Sequence, residues 1–203
     1  MTFRPKRARR RPQQRRARVT VEAVLDAVIR ILKKGGSGAM TTNRIAEVAG
    51  VSIGSVYQYF PDKRAIFTAL HERHINQIDR LVQSTLVEHA TSTLEELMRA
   101  MVEAMVEAHT EDPELWELLL MQVPHRADGS REFSVRLHGA FLLAISSRQR
   151  ELKKGRDLDS VAFVVTHMVD ALSHGAVLRR PARLSLAAAK EEIVRAVLAY
   201  LRA

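Results

Sequence analysis

The chain has 203 residues, is 46% hydrophobic and 5% aromatic, carries a formal charge of +9 and has no cysteine. That is enough apolar material for one or two domains with a real core, and it excludes disulfides, thiolate chemistry and thiolate metal sites. No apolar run approaches the roughly 20 residues of a membrane span, and no apolar stretch of adequate length follows the basic N-terminus as a signal peptide would require, so a soluble cytoplasmic protein is expected.

The excess charge sits in one place. Residues 1–18, MTFRPKRARRRPQQRRAR, carry nine Arg and Lys and no acid, whereas the rest balances 23 basic against 23 acidic residues. Such a segment is too polar and self-repelling to pack, and it reads as a disordered basic arm at 1–18. A basic arm is an electrostatic handle for a polyanion such as nucleic acid, although a solubilising or targeting tail has the same composition.

Almost every later segment reads as helix, with neither sustained period-2 alternation nor an Asn-Gly or Asp-Gly hairpin turn. Thr20 is placed to cap a first helix with Val21, Val24, Leu25, Val28, Ile31 and Leu32 on one face, stopped at Gly35. The GGSGAM segment that follows is a loop, and it lacks the Gly-Lys-Ser/Thr ending of a phosphate loop. Thr42 is expected to cap a short helix at 43–49, Gly50 to turn the chain, and Ser52 to cap a second short helix ending near Phe60. Asp62 caps a long helix to about His89, with Ile66, Leu70, His74, Ile78, Leu81 or Val82, and Thr85 inward.

Ser92 or Thr93 opens a helix with Leu94, Leu97, Met98, Met101, Met105 and Ala108 on one stripe. Asp112-Pro113 starts another through Met121. A long helix follows at 131–154, with Phe133, Leu137, Phe141, Ala144 and Ile145 inward and Gly155 closing it. Asp157 or Asp159 begins a helix to about Arg179, and Ser185 caps the last, to Leu201. The fold class is all-α, with about nine helices and no internal repeat.

Residues 42–63 form two short helices joined at a glycine, which is the helix-turn-helix pattern. Ile45, Ala46, Ala49, Val51, Val56 and Phe60 supply its small core. The second helix would lie in a DNA major groove. Gly54 and Ser55 permit close approach to the sugar-phosphate strand, and Tyr57 and Tyr59 offer hydroxyls to phosphate oxygens, while Phe60 points inward.

The stretch MTTNRIAEVAGVSIGSVYQYFPDKRAIFTAL, residues 40–70, resembles the DNA-binding domain of the tetracycline-repressor (TetR) family. The shared pattern is Thr41-Thr42, Ile45-Ala46, Ala49-Gly50-Val51-Ser52, Tyr57, Tyr59-Phe60 and Lys63. The strong match covers residues 20–70, and the remainder is similar only in helix count and length. The resemblance implies backbone-phosphate contacts by Thr42, Tyr57 and Lys63. It places Asn43, Ile53, Gly54, Ser55, Gln58 and Tyr59 on the surface facing the groove, with Arg44 near the strand. Ile53 and Gly54 offer no side-chain hydrogen bond to a base edge. Specificity would therefore draw on Asn43, Ser55 and Gln58, on contact between Ile53 and a thymine methyl, or on DNA shape.

The resemblance divides the chain into a DNA-binding domain at 19–65 and an effector-binding and dimerisation domain at 66–203. It implies a homodimer paired through the last two helices, residues 157–179 and 185–201. The sequence supports that pairing independently. On residues 159–178, Val161, Val164, Val165, Met168, Val169, Leu172, Gly175 and Ala176 cover more than half the helix circumference, and Ile193, Val194, Val197, Leu198 and Leu201 continue the pattern. The middle helices would enclose an apolar effector, with Met98, Met101, Met105, Trp116, Phe133, Leu137 and Phe141 as the expected lining; plain core is the alternative for each. No cofactor and no membrane partner are expected.

Two other readings compete. One is an architectural DNA-binding protein without an effector. The other is a metal-dependent protein using His167, Asp170 and His174, which share one helical face; that face also carries Asp159, Thr166 and Ser173 and reads as solvated or as an interface. No serine–histidine–acid or paired-carboxylate motif is present, so catalysis is not expected.

Overall fold

The computed structural model describes the backbone of residues 10–110, 113, 115, 117 and 128–203. Among the described residues there are eight long or short α-helices and no strands: α1 Arg10–Gly35, α2 Thr42–Ala49, α3 Ile53–Tyr59, α4 Lys63–Glu88, α5 Leu94–Thr110, α6 Asp128–Ser146, α7 Leu158–Leu178 and α8 Leu186–Arg202. The helix expected from Asp112 to Met121, and Trp116 with it, lies outside the described residues. The chain divides into two compact units, Met1–Leu70 and His71–Ala203, so the division falls inside the sequence of α4.

In the first unit, α1 begins at Arg10, so residues 10–18 are helical and not irregular as the charge run suggested. Arginine, glutamine and alanine are good helix formers. Pro12 sits in the first turn, where a missing N–H breaks no hydrogen bond. Thr20 is consequently not a cap: its hydroxyl donates back to the Arg16 carbonyl at 3.1 Å, in mid-helix. Val24, Leu25, Ala27, Val28, Ile31 and Leu32 are buried, as the periodicity requires. The chain leaves α1 through Gly36 in the left-handed region, φ 64°.

Thr41 caps α2, accepting from the Arg44 amide at 3.2 Å, one residue earlier than expected. Gly50 has φ 67°, a value that any other residue would adopt under strain. Ser52 caps α3 and accepts from the Ser55 amide at 3.0 Å. Ile45, Ala46, Val56 and Phe60 are buried, and Ala49 and Val51 half-buried. Asp62 caps α4, accepting from the Ala65 amide at 2.7 Å.

The second unit is a helical bundle in which α7 packs against α5, α6 and α8, and α8 also packs on α5. Thr93 and Glu96 form a capping box at the start of α5: the Thr93 amide donates to Glu96 Oε2 at 2.8 Å and the Glu96 amide to Thr93 Oγ1 at 3.3 Å. Glu151 adds a carboxylate to the same helix start, accepting from the Leu94 amide at 2.9 Å. Asp157 and Ser185 cap α7 and α8.

Two expectations fail here. The helix expected at 131–154 spans 128–146 and gives way to a turn and a short 3₁₀ helix, Gln149–Glu151; Gly155, at φ 84°, belongs to the loop before α7. The cause is Arg148, which is buried although it faces no carboxylate among the described residues. Its guanidinium donates to the carbonyls of Ser92 (2.8 Å), His89 (2.5 Å), Ala90 (3.0 Å) and Ala144 (3.1 Å) and to Ser147 Oγ (3.0 Å). It thereby holds the α4–α5 turn against the end of α6.

The second failure concerns apolar length. By length and composition α7 is long and apolar enough to cross a membrane, with 21 residues and a mean hydropathy of 1.5 over its most apolar window. In the structure it is the helix shared by the bundle. Its apolar surplus is divided between the core (Val161, Ala162, Val165, Val169, Ala176) and an exposed set that includes Phe163 and Leu172.

Candidate nucleic-acid interface and ligand cavity

The expected DNA contacts come from three consecutive pieces of the first unit. Asn43 and Arg44 are exposed on α2, with Thr42 half-buried at its start. Ile53, Gly54, Tyr57 and Gln58 are exposed on α3, with Ser55 and Tyr59 half-buried, and Lys63 is exposed at the start of α4. For residues as large as Ile53 and Tyr57, exposures of 46% and 56% are high. The opposite face of α3 is used internally, since Val56 and Phe60 are buried. The two-sided character of this seven-residue helix therefore puts two large side chains outward with no core to fill.

Gly54 separates them. A Cβ placed there would meet only Ser52 Oγ, at 3.8 Å, which is an ordinary contact. The chain's own packing does not demand glycine at this position, so the space it leaves lies outside the fold. Two side chains are already engaged. Arg44 pairs with Glu47 at 2.8 Å on the surface of α2, and the Ser55 and Ser52 hydroxyls bond each other at 2.8 Å. An exposed pair of that kind is worth little, about 0–1 kcal/mol, and releases its arginine readily to a phosphate.

In the second unit the expected lining separates into two groups. Met98, Met101, Met105 and Phe141 are buried in the continuous core with Leu97, Val102, Val165 and Val197. Phe133 and Leu137, by contrast, line a cavity of about 460 Å³ together with Ile75, Ile78 and Leu178. Its remaining wall is mostly polar, and five imidazoles reach it: His71 and His74 from α4, His109 from α5, and His167 and His174 from α7.

Three of these rings stack in sequence. The His74 and His109 centroids are 5.2 Å apart, edge to face, and His109 and His174 are 3.9 Å apart. Burial, reinforced by the charges His109, His174 and His71 would carry, lowers the His74 pKa to about 3. Burial and His174 lower that of His109 to about 4, against the pull of its hydrogen bond to Met105. Both rings are neutral near pH 7.

His109 donates from Nδ1 to the Met105 carbonyl at 2.6 Å, since a carbonyl only accepts. His167 and His174 make the same bond to the carbonyls of Phe163 (2.8 Å) and Asp170 (3.1 Å). Thr166 and Ser173, on a face read as solvated or as an interface, are buried. Their hydroxyls, like His109 Nε2, have no partner among the described residues. Although His167, Asp170 and His174 all border the cavity, no group of three or more His, Asp or Glu among the described residues is arranged to hold a metal ion. The cluster was half legible in the sequence: His74 lies on the inward stripe of α4, and the α7 histidines share a face, but nothing local tied them to His109.

Comparison with known proteins covers both units. A family model described as bacterial regulatory proteins, tetR family, matches residues 24–70. Another, described as tetracyclin repressor-like, C-terminal domain, matches residues 93–201. The HTH-type transcriptional repressor KstR of Mycobacterium tuberculosis is 34% identical over 68 residues, 34% of this chain and 31% of that protein. The matched segment thus spans about a third of that relative. Among solved structures, the fatty acid degradation regulator FadR of Bacillus halodurans superposes with a TM-score of 0.65 at 17% identity, over 90% of this chain and 96% of the other. The FadR of Bacillus subtilis, solved in complex with stearoyl-CoA, gives 0.63 at 19% identity, over 89% and 99%. At these identities the likeness is one of fold.

Proposed function

Since this chain belongs to the tetR family of bacterial regulatory proteins, we propose that it is a repressor that binds operator DNA as a homodimer and is released by a small molecule held in the second unit. The observation that carries the first half is α3, with Ile53 and Tyr57 outward on either side of a glycine that the fold itself does not need. A helix presented in this way suits a major groove, with Asn43 and Gln58 for base edges and Thr42, Tyr57 and Lys63 for phosphates. The basic residues of 1–18 add an attraction that ignores sequence.

The second half rests on the cavity, which lies within the common range for small-molecule sites, about 300–1,000 Å³. The related fold of the B. subtilis regulator was solved with stearoyl-CoA, a ligand with a long apolar part. Ligand and operator would compete through α4, the one helix whose residues belong to both units. A ligand shifts that balance only by binding one state better than the other.

Dimerisation is supported by the apolar surface left on α7, where Phe163 is 54% exposed and Leu172 is also exposed. Most of the large apolar residues of α8, Ile193, Val194, Val197, Leu198 and Leu201, are buried, and α8 packs on the chain's own α5 and α7. Its contribution to pairing would come from exposed small residues such as Ala196 and Ala199. Such a protein acts where the chromosome is, in the cytoplasm.

The test is selection of duplexes from a random library by the full chain. Enrichment of a two-fold symmetric sequence, with half-sites about 34–36 Å apart or a multiple of that, supports the proposal. Binding without any sequence preference would replace it with the architectural reading.

A further inference from the structure

The cavity wall constrains the head group of whatever enters it. His109 is 1% exposed, and its Nδ1 is committed as a donor to the Met105 carbonyl. In a neutral ring the other nitrogen, Nε2, is then a bare acceptor, and it has no partner among the described residues. Thr166, also buried and also on the cavity wall, has a hydroxyl without a partner among the described residues, which is a donor in want of an acceptor. Buried polar atoms are nearly always paired, so two orphans on one wall mark the place where a ligand supplies what is missing.

Resting on the reading of the second unit as an effector domain, we propose that the cavity takes a neutral molecule with an apolar body and a hydroxyl head, a phenol or an alcohol, that donates its O–H to His109 Nε2 and accepts from Thr166. The body lies among Ile75, Ile78, Phe133, Leu137 and Leu178.

Other head groups fit less well. A carboxylate has no proton to give Nε2 and sets its charge against a lone pair; accommodating it would require protonating a ring that burial keeps neutral. An ether leaves Nε2 unpaired. An ammonium donates to Nε2 but accepts nothing from Thr166. Asp170 and Arg179, also on the wall, bring opposite charges and so favour neither ion. A hydroxyl satisfies both orphans without a net charge.

The experiment is titration calorimetry on the full chain without DNA, using para-butylphenol, para-butylcyclohexanol, the methyl ether of the phenol, para-butylbenzoate and para-butylbenzylamine. The phenol or the cyclohexanol should bind at least about tenfold more tightly than the ether, the benzoate and the amine, and which of the two leads separates phenols from alcohols. In His109→Leu the advantage over the ether should shrink to within about twofold, and in Thr166→Val, where the ether loses the same contact as the phenol, that advantage should persist while the advantage over the amine shrinks. Should His109→Leu fail to fold, imidazole nitrogen NMR on the wild type decides the same question: the Nε2 resonance of His109 moves with the hydroxyl probe and stays with the ether.

Equal affinity for phenol and ether, tighter binding of the benzoate or the amine, or no binding by any probe overturns the proposal. A protein that selects an operator and is released by another class of ligand refutes the hydroxyl head and leaves the repressor reading intact. A protein that binds the phenol at His109 yet selects no DNA does the reverse.

Discussion

The histidine cluster makes the second unit acid-sensitive by an amount that follows from its geometry. His74 and His109 fall from the ordinary 6.5 to about 3 and about 4 in the folded chain. Below pH 6.5 the unfolded chain binds protons at these sites that the folded chain refuses. Stability is therefore fully present above pH 6.5, declines as pH falls through it, and stops declining once the folded values near 4 and 3 are passed. At pH 5 each site is about 1.5 units below its unfolded value, worth about 2 kcal/mol at roughly 1.4 kcal/mol per unit, or about 4 kcal/mol for the pair.

Other groups titrate too, so the decisive quantity is the difference from a variant. His109→Leu removes one site and should reduce the loss between pH 8 and pH 5 by about 2 kcal/mol, near 1 M in urea midpoint at a slope of roughly 2 kcal/mol per molar. Urea unfolding followed by far-ultraviolet circular dichroism at pH 8, 7, 6 and 5 measures it. Equal losses in wild type and variant would refute the claim that burial in this cluster keeps His109 neutral.

Three further outcomes are expected. Lys63→Ala should weaken operator binding and lower the salt slope by about one, and Tyr57→Phe should weaken it with the fold intact, both read by fluorescence anisotropy across a salt series; an unchanged slope for Lys63→Ala removes that lysine from the interface. Deleting residues 1–9 removes four of the nine basic charges of the arm; it should reduce affinity for operator and random DNA alike, and deleting 1–18 should reduce both further at the expense of the first turns of α1, so equal affinity in all three chains would leave the segment without a role in binding. Arg148→Met should cost about 3–5 kcal/mol in urea unfolding, since it strands several buried carbonyls at once; a loss under about 1 kcal/mol would mean that water replaces the guanidinium without penalty.

The parts of the fold that sequence reveals are those whose causes are local. Ser52, Asp62, Thr93, Asp157 and Ser185 each satisfy an amide three residues on, so the helix starts were readable from residue type and spacing. The stripes of α4, α5 and α6 follow from the helical period, and the exposed Ile53 and Tyr57 from their opposition to Val56 and Phe60. What escaped depends on distant partners. Arg148 ends α6 early because carbonyls some 56–59 residues away accept from it. Met98, Met101 and Met105 have the residue types of a flexible pocket, yet the helices packed on α5 close over them. The imidazole cluster needs α4, α5 and α7 side by side, which no window of sequence contains. Thr20 misled for the opposite reason: a good cap residue caps nothing when the segment before it is itself helix-forming.

The bonds of Arg148 bear on where this molecule comes apart in acid. Its acceptors are four carbonyls and a hydroxyl, none of which takes up a proton between pH 8 and pH 4. The bonds by which Arg148 joins residues 89–92 to 144–148 therefore contain no group that takes up the protons straining the imidazole cluster. Partial opening at mild acidity should begin around the cavity, where amides near His74 and His109 exchange with solvent first. The amides around Ser92 and Arg148 should stay protected until the unit unfolds as a whole.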